Sequence, residues 1–149
     1  MGKNKLRLIA AALLLALLAI VAAFFALRGV RARGALRSEL ALLKSGAVAM
    51  TVTALPGGEV RKFSGDEAEA AAAAGLSLEY GGVKRKGTIR TEAGDYRVFI
   101  DTAEGPVWLV LYEDGGGAVE CAGSCAVRVE DTEGLYSVID GLMKGGTGT

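Results

Sequence analysis

Hydrophobic positions along the chain change period repeatedly, and each change marks the start of a new element. From Leu8 to Leu27 the run LIAAALLLALLAIVAAFFAL is apolar throughout, twenty residues without a charge. At about 1.5 Å per residue such a helix spans about 30 Å, the hydrocarbon thickness of a bilayer. A soluble core helix of this length would show a polar stripe, and none is present. The competing reading is a cleavable signal peptide, whose apolar region runs about 7–15 residues and ends at a small-x-small site. This run is longer and continues into RGVRARG, so a retained transmembrane helix over 8–27 is expected, with 28–34 as a basic juxtamembrane linker.

The period then becomes helical. Leu36, Leu40 and Leu43 recur at i, i+4 and i+7, and Gly46 supplies a stop. From residue 47 it becomes two. In AVAMTVTAL, Val48, Met50 and Val52 alternate with small or polar residues, a half-buried strand. Pro56-Gly57-Gly58 makes a turn, and a strand over 59–63 completes a hairpin. SGDEAEAAAAAG reads as a helix with a Ser64/Glu67 capping box and Gly75 as its C-terminal stop.

LSLEY then suggests a strand and GGVKRKG a loop. Its Lys84, Arg85 and Lys86 read as a solvated turn, because no glycine-rich strand-to-helix phosphate motif accompanies them. Strand patterns follow at 87–92, 95–102, 106–113, 117–121 and 125–130, separated by Ala93-Gly94, Glu104-Gly105 and Asp114-Gly115-Gly116. VWLVLY is apolar on both faces, which predicts a central strand covered on each side with Trp108 as a packing residue. Leu135, Val138, Ile139, Leu142 and Met143 form one face of a closing helix.

The expected fold class is therefore α+β. A single N-terminal transmembrane helix precedes a small antiparallel sheet, a meander of about five to six strands with two to three covering helices. Residues 1–7 form a basic tail, 35–143 the globular domain and 144–149 a Gly/Thr tail. The order helix, hairpin, helix, antiparallel strands, helix loosely resembles the profilin-like group that includes roadblock and longin modules. That resemblance implies a cytosol-facing scaffold dimerising through a sheet edge or helix.

Charge sharpens this division. The formal net charge of zero hides a basic cluster in 1–37 made of Lys3, Lys5, Arg7, Arg28, Arg31, Arg33 and Arg37, with no acid. The remainder holds seventeen acidic against ten basic residues, a net −7. This pattern fits a bilayer partner joined to a solvated domain, and it argues against a nucleic-acid binder. Because cations flank the apolar run on both sides, the positive-inside bias nearly cancels. A single-pass membrane location is expected, with the domain outside the cytoplasm and the cytoplasmic side as the alternative.

The chain has no His, and the sequence displays no Ser-His pair, phosphate loop or metal-ligand cluster. No catalytic, cofactor-binding or metal residue is assigned, and no cofactor is expected. Glu113, Asp114 and Glu120 are the carboxylates an enzyme would have to use; carboxylates at turns are ordinarily solvated. The leading functional expectation is a membrane-tethered interaction, sensor or accessory domain with a protein partner.

Both cysteines, Cys121 and Cys125, lie in VECAGSCAVRV. A two-residue Gly123-Ser124 turn would put them on opposite faces. A three-residue loop pairs them directly and keeps Val119, Val127 and Val129 on the same face. Valine alternation selects the second register. Two reduced core cysteines and a disulfide both remain open; zinc would need two further ligands from carboxylates.

Overall fold

A computed structural model describes residues 2–84, 95–121 and 125–145. The fold is α+β: a long N-terminal helix, a seven-stranded antiparallel sheet and two further helices. The chain divides into two units, Met1–Arg31 and Ala32–Thr149.

Residues 3–31 of the first unit belong to helix α1, Lys3–Leu42. It is long and apolar enough to cross a membrane. Leu15, Ile20, Phe24 and Phe25 stand exposed along it. Residues 28–34, expected as a linker, are helical instead. Arg and Ala are good helix formers, and an isolated Gly weakens a helix by only about 1 kcal/mol. The boundary between the units nonetheless falls in this stretch, after Arg31.

In the second unit, α1 runs on through Ala32, Leu36 and Leu40, all buried, into a short 3₁₀ turn, Leu43–Ser45. Gly46 at φ 87° ends that turn. Strands β1 (Ala47–Leu55) and β2 (Val60–Ser64) form the hairpin. A bulge at Val48 turns this side chain out to 61% exposure.

Helix α2, Asp66–Gly75, follows. The expected Ser64 capping box is not made. Ser64 is held in β2 opposite Ala49, so the cap passes to Gly65, whose φ of 61° costs a glycine little. The far end differs too. Gly75 remains helical, and the chain leaves through i→i+3 bonds from Leu76, Ser77 and Leu78, with the Ser77 hydroxyl donating to the Ala74 carbonyl at 2.7 Å. Gly75 supplies room: a Cβ there would lie 2.8 Å from Cδ1 of Leu43.

Strand β3 is Glu79–Lys84, so Gly81 and Gly82, expected in a loop, lie in a strand with a bulge between Tyr80 and Gly82. The strand expected at 87–92 and the residues Arg85 and Lys86 lie outside the described residues. Strands β4 (Asp95–Thr102), β5 (Gly105–Leu111), β6 (Gly117–Cys121) and β7 (Cys125–Glu130) form the meander, and α3, Glu133–Gly145, follows.

The sheet order is β2-β1-β4-β5-β6-β7-β3. The meander is thus extended at one side by the N-terminal hairpin and at the other by β3. One face carries Met50, Val52, Val98, Ile100, Val107, Leu109, Leu111, Val119, Val127 and Val129. These share one core with α1, α2 and α3 through Leu36, Leu40, Ala68, Ala71, Leu135, Ile139 and Met143. All three helical stripes therefore face the same side of the sheet. Each fully buried Val, Leu or Ile stabilises by about 1.5–3 kcal/mol relative to exposure.

Candidate functional site

The opposite face of the sheet is built by the alternate residues of the same strands. Arg97, Phe99 and Asp101 project from β4 and Trp108, Val110 and Tyr112 from the central strand and its end. Ala118 and Glu120 project from β6, and Ala126 and Arg128 from β7. Phe99 stands directly across from Trp108, with ring centroids 4.4 Å apart at an interplanar angle of 56°. This contact holds the indole while leaving Trp108 44% exposed.

Beside the indole lies a depression of about 260 Å³ lined by Arg97, Trp108, Val110, Ala118, Glu120 and Ala126. Short alanine side chains make its floor, and Arg97 and Glu120 stand exposed at its rim. Neither rim charge forms an ion pair with another described residue.

The position of VWLVLY is as expected, since β5 is fourth of seven strands. The cover expected on both sides is incomplete among the described residues at Trp108, which is 44% exposed. Val110 and Tyr112 are buried, but neither they nor Phe99, Trp108, Ala118 and Ala126 belong to the helix-covered core. Sequence reasoning treated β5 alone. The signal it missed was the neighbouring alternation Arg97-Phe99-Asp101, which in this register places an aromatic residue and a charge beside Trp108.

A polar cluster lies on the helix-covered side. The Tyr96 hydroxyl donates to Oδ1 of Asp140 at 2.7 Å, and Nζ of Lys144 donates to Oδ2 at 2.8 Å. The Tyr136 ring packs 5.4 Å from that of Tyr96. Burial, and then the hydrogen bond to Asp140, push the Tyr96 phenol well above its ordinary value. Burial raises Tyr136 as well. The Lys144 and Tyr96 hydrogen bonds hold the Asp140 carboxyl below the usual carboxylate range. Asp140 in turn raises Lys144. These directions all favour a neutral phenol donating to a charged carboxylate, an arrangement that fastens α3 to β4.

Cys121 and Cys125 are opposite one another across β6 and β7, with Val119 opposite Val127. This is the three-residue-loop register, and Cys121 is buried. The loop residues themselves lie outside the described residues. Lys3, Lys5, Arg7, Arg28, Arg31, Arg33 and Arg37 all lie on α1. Within the second unit the Arg33 guanidinium lies 4.9 Å from the centre of the Tyr80 ring, a cation–π contact with the edge strand β3. Glu113 and Asp114 are exposed just after β5, and Asp114 accepts a hydrogen bond from the Gly116 amide at 3.3 Å. Glu120 lies apart from them, on the Trp108 face. Among the described residues no group of three His, Cys, Asp or Glu is placed to hold a metal ion.

No protein-family model matches the chain, and no curated protein or solved structure matches it.

Proposed function

We propose that the protein is a membrane-tethered interaction domain, anchored by α1 as a single-pass span, which docks a protein partner on the exposed Trp108 and the charges beside it, Arg97 and Glu120. The observation that carries this reading is the exposed Trp108 beside an apolar depression with a charged rim. Interfaces concentrate their energy in such a way, with an aromatic anchor at the centre and polar residues around it. The domain lies outside the cytoplasm in this reading, and Cys121 and Cys125 are joined as a disulfide there.

Site-specific photocrosslinking in intact cells tests the docking face. A photoreactive residue at Thr51, directly across from Phe99, should capture a discrete protein adduct. The same group at Ser137, exposed on α3, should not. Equal capture at both positions, or capture at neither, refutes the reading. Thiols that alkylate on denaturation without a reductant would refute the disulfide.

A further inference from the structure

We infer that the four arginines following the apolar run, Arg28, Arg31, Arg33 and Arg37, form a binding site for the headgroup phosphates of anionic phospholipids. This rests on the anchor reading proposed above and adds the class of lipid that the anchor selects. All four arginines are exposed on α1. Among the described residues none of them forms an ion pair. No acid occurs in the chain before Glu39. Arg28 and Arg31 are three residues apart, and Arg33 and Arg37 are four apart. Each pair therefore shares a helix face, where like charges repel unless an anion lies between them.

Arg33 is oriented by the fold. Its guanidinium lies over the Tyr80 ring, 4.9 Å from the centre. A guanidinium held over a ring keeps the N–H donors at its edge for an acceptor.

Position along the chain selects the acceptor. Arg28 and Arg31 stand one and four residues after Leu27, about 1.5 and 6 Å further along the helix. The headgroup layer on each side of the hydrocarbon is about 5–8 Å deep. Arg33 follows six residues after Leu27, so chain length alone keeps it close to the same surface.

Residue type separates phosphate binding from simple anchoring. All four cations on this side are arginine, whereas two of the three before the apolar run are lysine. Lysine would serve equally if the need were only a charge that reaches out of the lipid. The planar fork of arginine matches a pair of phosphate oxygens, which an ammonium contacts only as a point charge. The chain beyond residue 37 carries a net −7, so an anionic surface repels the rest of the domain and draws in this junction.

The full chain reconstituted in phosphatidylcholine bilayers tests the site, with spin-labelled phosphatidylglycerol and spin-labelled phosphatidylcholine as probes. The motionally restricted part of each spectrum measures lipid held at the protein. Phosphatidylglycerol should be held about fivefold more tightly or better, the gain that one cation makes at an anionic surface. Glutamine at all four arginines should abolish the preference. Glutamine at Lys3, Lys5 and Arg7 should leave most of it. Glutamine at Arg28, Arg31 and Arg37 spares the contact with Tyr80 and should still remove most of the preference, with an unaltered circular dichroism spectrum. Lysine at all four keeps the charge and loses the fork, so its preference should fall well below that of the unaltered chain.

Four results would overturn the inference. The unaltered chain may not be indifferent to headgroup, the preference may not survive glutamine at all four positions, and the all-lysine chain may not match the unaltered one. Nor may glycerol phosphate at millimolar concentration in solution displace the lipid, which would make a free anion the ligand. A chain freed from membranes by alkaline extraction removes the anchor and this inference together. A chain that stays with membranes and shows no lipid preference removes this inference alone.

Discussion

The hydroxyl of Tyr96 and the carboxylate of Asp140, 44 residues apart in sequence, meet at 2.7 Å and join the helix-covered side of β4 to α3. Lys144, one turn further along α3, holds the other carboxylate oxygen.

Removing either member should loosen that attachment. Hydrogen bonds to charged groups contribute about 1.5–3 kcal/mol. Tyr96→Phe should therefore destabilise by about 1.5–3 kcal/mol, measured as the shift in urea unfolding followed by Trp108 fluorescence. Asp140→Ala should do at least as much, because it leaves the phenol without its acceptor, and Asp140→Asn should do less. The pH dependence has a definite sign. Asp140 is held below its unfolded value, so its contribution is present above the ordinary carboxylate pKa and lost as pH falls through the depressed one. Tyr96 is raised, so its contribution is present below the ordinary phenol pKa and lost as pH rises beyond it. Asp140→Asn should flatten the acid limb of a stability-against-pH curve and leave an unaltered limb at neutral pH. An acid limb as steep as that of the unaltered protein would contradict this.

Register makes a sharper test in the last hairpin. Val127 is fully buried and Arg128, its neighbour, is exposed on the other face. Val127→Asp buries a charge among apolar side chains and should destabilise by more than about 3 kcal/mol. Arg128→Asp should change stability by less than about 0.5 kcal/mol, as surface replacements usually do. Denaturation midpoints in the opposite order would mean that the two faces of β7 had been exchanged.

Gly117 is sterically demanded. A Cβ there would lie 2.9 Å from the carbonyl oxygen of Val110, 3.0 Å from Cγ2 of Val129 and 3.1 Å from Cγ2 of Thr132. The nearest obstacle is backbone, which cannot swing aside as a side chain can. Gly117→Ala should therefore destabilise by about 1–3 kcal/mol, the usual effect of overpacking. Gly116→Ala, next to it, meets nothing nearer than 3.4 Å and should be close to neutral. Equal melting temperatures for the two variants would show that β6 shifts freely.

The second unit should stand without the apolar helix. A fragment covering Ala32–Thr149 retains the buried α1 residues Ala32, Leu36 and Leu40 together with the sheet and both later helices. It should unfold in one cooperative step on heating, observed by circular dichroism. The full chain should stay with membranes through alkaline extraction, and the fragment should not. A fragment that loses structure gradually would show that the core depends on residues before Ala32.

Much of this architecture was legible because alternation and turn chemistry agree in β4 to β7, whose bounds match the sequence pattern within two residues. The stripe Leu135-Ile139-Met143 was equally plain, since each of these residues is buried. What escaped was set by partners far along the chain. GGVK looks like a loop through its two glycines; it continues the strand begun at Glu79 because β7 offers a paired edge. Ser64 looked like a helix cap, but pairing with Ala49 claims it for β2. The Trp108 face was invisible for the same reason. Nothing within VWLVLY says that Phe99 will stand across from Trp108 or that Arg97 and Glu120 will flank it. Local pattern determines which residues alternate, and pairing determines what they alternate beside.

The strand order also sets a timetable for biogenesis. Met50 of β1 is opposite Ile100 of β4, and Val83 of β3 is opposite Val127 of β7. On a ribosome adding about 5–20 residues per second, each of these early strands waits on the order of seconds for its partner to be synthesised. The β4–β7 meander needs only short turns, so it can assemble as it emerges, while the long closures come last. The apolar helix is therefore made, and its choice between lipid and water taken, before any complete sheet exists to compete for it. Two strands made early wait for neighbours made late, in an order written into which strand lies beside which.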